Sequence, residues 1–130
     1  MRKILLDTNA YTAIRKNDQD VISFIHQADS VIFSVVVLGE LIYGFMKGGR
    51  DAANRTKLLR YLADNGITVN QINSETAEIY AEIKLHLQKK GKPIPENDIW
   101  IAAQTMETGS ILVTYDKHFL NIPGLRLWKK

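Results

Sequence analysis

Short apolar runs alternate with longer segments of helical periodicity along this chain. Consecutive apolar residues in KILLD (3–7), VIFS (31–34) and ILVT (111–114) are typical of strands buried on both faces of a parallel sheet. Two weaker runs, ITV and LRLW, have the same character but are shorter. We therefore predict strands at residues 3–7, 31–34, 67–69, 111–114 and 125–128.

The segments between these runs carry the spacing and the end signals of helices. Ser34, Ser74 and Asn97 are candidate N-caps, because their side chains accept hydrogen bonds from the first free backbone N–H groups. Glycine follows several of the segments and marks helix ends. We predict helices at about 8–16, 20–28, 35–47, 50–64, 74–90 and 97–108, with an extended loop at KPIPE (92–96).

Strands that alternate with helices predict an α/β fold with a mainly parallel central sheet and helices on both faces, a three-layer α/β/α arrangement. The sequence contains no internal repeat, low-complexity tract or linker. At 130 residues the chain has the length of one domain, and we predict a single domain over residues 1–130.

Composition narrows the possible classes of protein. The 45% hydrophobic and 24% charged fractions are those of an ordinary globular chain, and the absence of cysteine excludes disulfides, thiolate catalysis and cysteine-based zinc sites. The N-terminus has too few apolar residues for a signal peptide, and no run approaches the roughly 20 needed to span a bilayer. We expect a cytoplasmic protein. The net charge of +3 permits nucleic-acid binding without arguing for it.

Two acidic residues follow predicted strands. Asp7 ends the first strand, and Asp116 comes two residues after ILVT, at the sheet edge where open α/β folds form their sites. Each has a simpler interpretation: Asp7 as a helix cap, Asp116 as a turn residue. Asp98 lies in the first turn of its predicted helix, where negative charge is favoured whatever the function.

Glu40 is harder to explain as a surface residue. It lies in the apolar segment VVVLGELIY, and no lysine or arginine occurs between Lys16 and Lys47. A half-buried carboxylate without a partner is costly, so we expect Glu40 to be paired unless it points to solvent from the helix edge.

Convergence of the four acids would indicate a metal site. At roughly 4 Å, two carboxylates repel by about 4 kcal/mol with an effective dielectric constant near 20, so such a cluster takes up protons or binds cations. Oxygen ligands select hard ions such as Mg²⁺ or Mn²⁺, which serve phosphoryl-group hydrolysis. Hydrophobic periodicity alone does not establish that the acids converge.

Four segments carry a family resemblance: LLDTN, GELIYG, PENDIWIAAQ and LVTYDKHF, in this order along the chain. They resemble the acidic signatures of PIN-domain ribonucleases, and specifically of VapC-type toxins from bacterial and archaeal toxin–antitoxin pairs. The resemblance covers essentially the whole chain, and IPGLRL is similar to the closing strand of the family.

This resemblance implies a Rossmann-like PIN domain in which Asp7, Glu40, Asp98 and Asp116 surround Mg²⁺ or Mn²⁺ and cleave RNA. Asp7 and Asp98 would be the principal metal ligands, Asp116 would complete the shell, and Glu40 would bind metal or orient the attacking water. It also implies a small VapB-type antitoxin as partner, with a homodimer or a toxin–antitoxin hetero-oligomer as the assembly.

Further residues have secondary roles in this interpretation. The family pattern places a hydroxyl or amide beside the acids, which corresponds to Asn9 and Thr114. Lys92 and Lys117 flank the acidic motifs and are candidate RNA phosphate contacts, although a solvated surface explains them equally. The three histidines are scattered, and we assign none of them to the chemistry.

Three other functions remain open at this point. An aspartyl-phosphate phosphatase also has an aspartate after its first strand, but wants a second two residues later, where this chain has Asn9. A response-regulator domain wants a neighbouring pair of acids at that place. The non-enzyme alternative is a catalytically silent nucleic-acid or protein-binding module whose acids merely cap helices, which predicts no metal binding.

Overall fold

The computed structural model describes residues 1–128, which form four strands, six α-helices and one 3₁₀ helix. The strands are β1 (Lys3–Leu6), β2 (Ser30–Ser34), β3 (Thr68–Asn70) and β4 (Ile111–Val113). The helices are α1 (Thr8–Arg15), α2 (Gln19–His26), α3 (Val35–Lys47), α4 (Asp51–Asp64), α5 (Ser74–Lys89), α6 (Glu96–Glu107) and the 3₁₀ helix (Lys117–Asn121).

The four strands form one parallel sheet in the order β3-β2-β1-β4. In β1, Ile4, Leu5 and Leu6 are all 0% exposed, although successive side chains of a strand point to opposite faces. Both faces of the sheet are therefore covered, as they are in three-layer α/β folds. The predicted fold class, with its parallel sheet, is confirmed.

The strand order places a topological switch point between β1 and β4. From β1 the chain continues to β2 and then β3 on one side, and it returns to β4 on the other side of β1. Ligand sites of open α/β sheets lie in the crevice beyond the carboxyl ends of the strands at such a point. The crevice here receives Asp7 directly after β1.

Two of the three predicted N-caps are wrong. Ser34 caps α3 as predicted, because its hydroxyl accepts a hydrogen bond from the backbone N–H of Val36. Asn73 rather than Ser74 caps α5: its side chain accepts from the N–H of Thr76, whose hydroxyl accepts from the N–H of Asn73. This reciprocal capping box moves the cap one residue towards the N-terminus.

The predicted cap at Asn97 is also displaced. Helix α6 begins at Glu96, directly after Pro95, and has no side-chain cap. The amide of Asn97 points instead towards Glu40, as described below. Proline restricts the residue before it to extended conformations and pre-sets its own φ, so a helix can begin immediately after it without a side-chain cap.

The predicted strand at residues 125–128 reduces to an isolated bridge. Leu112 pairs with Leu127, donating its N–H to the carbonyl of Arg126 and accepting from the N–H of Trp128. On its other edge, β4 pairs with β1 at all three of its residues. Among residues 1–128, no helix is both long and apolar enough to cross a membrane.

A buried amide ties the sheet to α6. Gln104 is 0% exposed, accepts a hydrogen bond from the hydroxyl of Ser34 and donates to the carbonyl of Asn70 at 2.9 Å. It therefore fixes α6 against the carboxyl ends of β2 and β3.

We expect Gln104→Met to lower the free energy of unfolding by about 1–3 kcal/mol, because a side chain of similar length leaves the Ser34 hydroxyl and the Asn70 carbonyl without this partner. Urea titration measures the change. Gln88→Met, on the exposed face of α5, is the matched control. Equal stability of the two variants would contradict a structural role for the amide.

Candidate active site

The four predicted acids line one cavity of about 690 Å³ at the carboxyl ends of the strands. Asp7 reaches it from the end of β1, Glu40 from α3, Asp98 from α6 and Asp116 from the segment after β4. The fold therefore brings together residues separated by as many as 109 positions in sequence, which the hydrophobic pattern alone did not establish.

Asp7 is buried and doubly hydrogen-bonded. One carboxylate oxygen caps α1 by accepting from the N–H of Thr8 at 2.8 Å, and the other accepts from the hydroxyl of Thr114 at 2.7 Å. Burial raises the pKa of Asp7 from 3.8 to about 6, against the lowering effect of these hydrogen bonds, and the charges of Asp98 and Glu40 raise it further. Asp7 therefore caps α1, but its hydrogen bonds do not offset the free-energy cost of burying the charged carboxylate.

Asn9 and Thr114 join the ends of β1 and β4. The amide of Asn9 donates to the Thr114 hydroxyl at 3.3 Å, and its carbonyl oxygen accepts from the N–H of Tyr115 at 3.0 Å. The N–H of Asp116 donates to the same hydroxyl at 3.0 Å. The two predicted supporting residues therefore lie together beside the acids and position both strand ends.

Glu40 is half-buried and has the partners that its apolar surroundings require. Its carboxylate accepts from the hydroxyl of Thr8 at 2.7 Å and from the amide of Asn97 at 3.4 Å. Both partners are neutral, so they orient the carboxylate without cancelling its charge. The interpretation of Glu40 as a solvent-pointing surface residue is wrong.

Asp98 is only 8% exposed and lies in the first turn of α6. The helix dipole favours negative charge there, yet the pKa of Asp98 is raised, first by burial and then by the charges of Asp116 and Glu40, while a hydrogen bond with His118 lowers it. Desolvation and like charges therefore outweigh the hydrogen bond.

His118 belongs to the site although we assigned it no role from the sequence. Its Nδ1 atom lies 3.1 Å from Asp98 Oδ2 and 3.1 Å from Asp116 Oδ1. Asp116 caps the 3₁₀ helix by accepting from the His118 N–H at 2.9 Å, which folds the imidazole back over the carboxylate. The two-residue spacing Asp116–His118 was the available signal, since it is the reach of an Asx turn.

The donor atoms fit a divalent cation. Asp98, Asp116 and His118 each offer a ligand atom within 4.8 Å of the others. Five carboxylates line the cavity, the fifth being Asp18, and Lys16 is the single lysine or arginine among its lining residues in the described part of the chain. The carboxylate oxygens suit Mg²⁺ or Mn²⁺, whereas an imidazole nitrogen is a ligand more typical of Zn²⁺, Fe²⁺ or Ni²⁺.

The lysine that lines the cavity is not one of the two candidates named from the sequence. Lys92 and Lys117 are exposed, and neither lines this cavity. Lys16, which follows α1, lines it instead and had not been singled out. A role for Lys92 or Lys117 in RNA binding stays a prediction.

Comparison with known proteins identifies close relatives. The family model described as PIN domain matches residues 4–125. The chain is 30% identical over 133 aligned positions to Ribonuclease VapC2 of Rickettsia felis, covering 97% of this chain and 98% of that protein. It is 32% identical over 129 positions to Ribonuclease VapC2 of Haemophilus influenzae, covering 97% and 96%.

The solved structure of VapBC2 from Rickettsia felis, bound to a DNA fragment from their promoter, contains a chain of the same fold. It superimposes with a TM-score of 0.87 at 28% identity, over 98% of this chain and 99% of that chain. The similarity therefore extends over nearly the whole fold of this chain.

Proposed function

The chain belongs to the PIN domain family, and from this premise we propose that it is a metal-dependent endoribonuclease, the toxin of a toxin–antitoxin pair. The relatives that it matches over 98% and 96% of their length are named Ribonuclease VapC2. The observation that carries the proposal is the convergence of Asp7, Glu40, Asp98 and Asp116 on one cavity.

We propose Mg²⁺ or Mn²⁺ as the cofactor, held principally by Asp7 and Asp98, with Asp116 completing the shell. When bound, such an ion supplies Lewis-acid stabilisation of the phosphate oxygens and lowers the pKa of water. The pKa values of Asp7 and Asp98 are raised chiefly by burial and further by the neighbouring carboxylates, and they support this assignment because a bound cation offsets the cost of keeping these groups charged.

The remaining residues would position the reaction. Glu40 would accept a proton from the attacking water or join the metal shell, and the hydrogen bond from the Thr8 hydroxyl, which orients its carboxylate, supports this role. Asn9 and Thr114 hydrogen-bond to each other, and Thr114 also donates to Asp7, so the pair holds Asp7 against the chain that follows β4. Lys16, which lines the cavity, would contact a phosphate of the RNA.

The binding-module alternative explains less of the site. Asp7 and Asp116 do cap helices, as that alternative requires. Capping does not account for four carboxylates facing one cavity, nor for the burial of Asp98, whose helix begins without any side-chain cap.

A VapB-type antitoxin is the partner of this toxin, and the two form a hetero-oligomer; the related VapBC2 structure supports this assignment.

We also treat residues 1–130 as a single PIN domain, supported by the family match over 4–125 and by one continuous core. RNA as substrate agrees with the cytoplasmic location expected above, which stays a prediction.

Cleavage of total tRNA and ribosomal RNA by the antitoxin-free protein tests the proposal. We expect discrete fragments with Mg²⁺ or Mn²⁺ and intact RNA when EDTA is present. Sequencing the new ends then identifies the substrate and the position of the cut. Folded protein that binds metal and leaves every RNA intact would favour the binding module.

His118 should support the metal site. We expect His118→Ala to weaken Mn²⁺ binding by about 10- to 100-fold, because the imidazole orients two of the ligand carboxylates. Isothermal titration calorimetry measures the affinity without reference to activity. His26→Ala, at the exposed end of α2, is the matched control, and unchanged affinity in both variants would assign His118 no part in the site.

A further inference from the structure

A second cavity of about 280 Å³ adjoins the candidate active site. We call it the base pocket and define it by Tyr115, Asp116, Lys117, Leu120, Leu127 and Trp128, which line it. Asp116 lines both cavities, so the base pocket begins where the carboxylate cluster ends.

Tyr115 lines the base pocket and is held on several sides. Its hydroxyl donates to Asp18, a lining residue of the active-site cavity, at 2.6 Å, and its N–H donates to Asn9 at 3.0 Å. Its ring meets the ring of Trp128 edge-on, with centroids 5.4 Å apart. An aromatic surface fixed in this way loses little entropy when a ligand stacks on it.

Among the described residues, Leu120, Leu127 and Trp128 supply the other apolar surfaces of the pocket, and the lining also includes Lys117, Asp116 and Thr114. Leu120 is 68% exposed and Tyr115 is 39% exposed, so part of this lining is accessible to solvent. Lys117 is exposed and follows Asp116 directly. An open apolar and aromatic pocket beside a cation matches a flat heterocycle joined to a phosphate.

We propose that the base pocket binds one unpaired nucleobase of the RNA substrate, adjacent to the bond that is cut, with Lys117 contacting the phosphate of that nucleotide. This inference rests on the proposed function and deepens it. Proteins that recognise RNA sequence bind unstacked bases on aromatic side chains. RNA is favoured over a peptide as the occupant because the pocket shares Asp116 with the carboxylate cluster and therefore adjoins the place where a scissile phosphate would lie.

Nucleotide binding by the antitoxin-free protein tests the pocket independently of catalysis. The four nucleoside 5′-monophosphates are titrated while the indole N–H signals of the two tryptophans are followed by NMR. We expect a saturable shift of the Trp128 signal with at least one nucleotide. The Trp100 signal, from a ring stacked on Tyr80, should stay in place, and ribose 5-phosphate, which has no base, should not shift Trp128.

Substitutions separate the pocket from the rest of the surface. Tyr115→Ala should raise the Kd of the nucleotide by about 5- to 100-fold, the range of one lost base-stacking contact. Leu120→Ala should also raise the Kd, because it removes an apolar contact with the base. Tyr115→Phe keeps the ring and should retain most of the binding. Leu59→Ala, a leucine on α4 that is 63% exposed, is the matched control and should have no effect.

Cleavage provides a second readout. In an oligoribonucleotide that spans a mapped cut, one abasic ribose beside the cut should lower kcat/KM by about 5- to 100-fold, mainly through KM. In Tyr115→Ala the same abasic ribose should cause no further loss.

Three results would overturn the pocket. The first is that no nucleotide gives a saturable shift of the Trp128 signal, and the second is that ribose 5-phosphate shifts this signal equally. The third is that the pocket variants weaken antitoxin binding but leave nucleotide binding intact. Nucleotide binding without any RNA cleavage would retain the pocket and reject the nuclease. RNA cleavage that is unchanged by the abasic ribose and by the pocket variants would retain the nuclease and reject the pocket.

Discussion

Asp98→Asn should lower RNA cleavage by about 10³-fold or more while the protein stays folded. The carboxylate lies beside His118, and the charges of Asp116 and Glu40 contribute to raising its pKa. Removing its charge removes a proposed metal ligand, and the Lewis-acid contribution of several kcal/mol corresponds to a loss of this size.

The measurement is kcat/KM on the RNA identified by mapping, together with Mn²⁺ affinity by calorimetry. Both should fall in Asp98→Asn, and excess Mn²⁺ should recover part of the activity. Asp64→Asn, at the exposed end of α4, makes the same chemical change away from the cavity and should behave as wild type. An Asp98→Asn protein with wild-type cleavage would remove Asp98 from the active site.

Asp7→Asn should abolish cleavage and at the same time stabilise the metal-free fold at neutral pH. The pKa of Asp7 is raised from 3.8 to about 6 in the folded protein, chiefly by burial, so folding favours the protonated carboxyl. The resulting stabilisation is fully present below pH 3.8 and is lost as pH rises through about 6. A shift of this size corresponds to about 3 kcal/mol.

The neutral amide cannot acquire this charge, and its oxygen can still cap α1 at the Thr8 N–H. Urea titrations in EDTA between pH 4 and 7.5 should therefore show wild type losing up to about 3 kcal/mol relative to Asp7→Asn. Mn²⁺ added at pH 7.5 should stabilise wild type more than the variant. If the difference between the two proteins does not change with pH, the carboxyl of Asp7 titrates normally and its burial carries no electrostatic cost.

Local signals in the sequence were sufficient for the elements that a few neighbouring residues determine. The continuous apolar runs predicted the parallel strands, and Ser34 was correctly identified as the point where β2 passes into α3. The caps at Ser74 and Asn97 were wrong because neighbouring polar residues can each supply a cap. The choice depended on the capping box at Asn73 and on Pro95.

The sequence by itself determined the chemistry available to this protein: acids after strands, no cysteine, and the order of four acidic motifs. Only the tertiary structure decided which groups meet. Asp7 and Thr114 are 107 residues apart yet hydrogen-bonded, and His118 joins the site because the chain after β4 turns back over Asp98. Periodicity reports which face of an element is buried, whereas distances, pKa shifts and cavities depend on how separate elements pack around the parallel sheet.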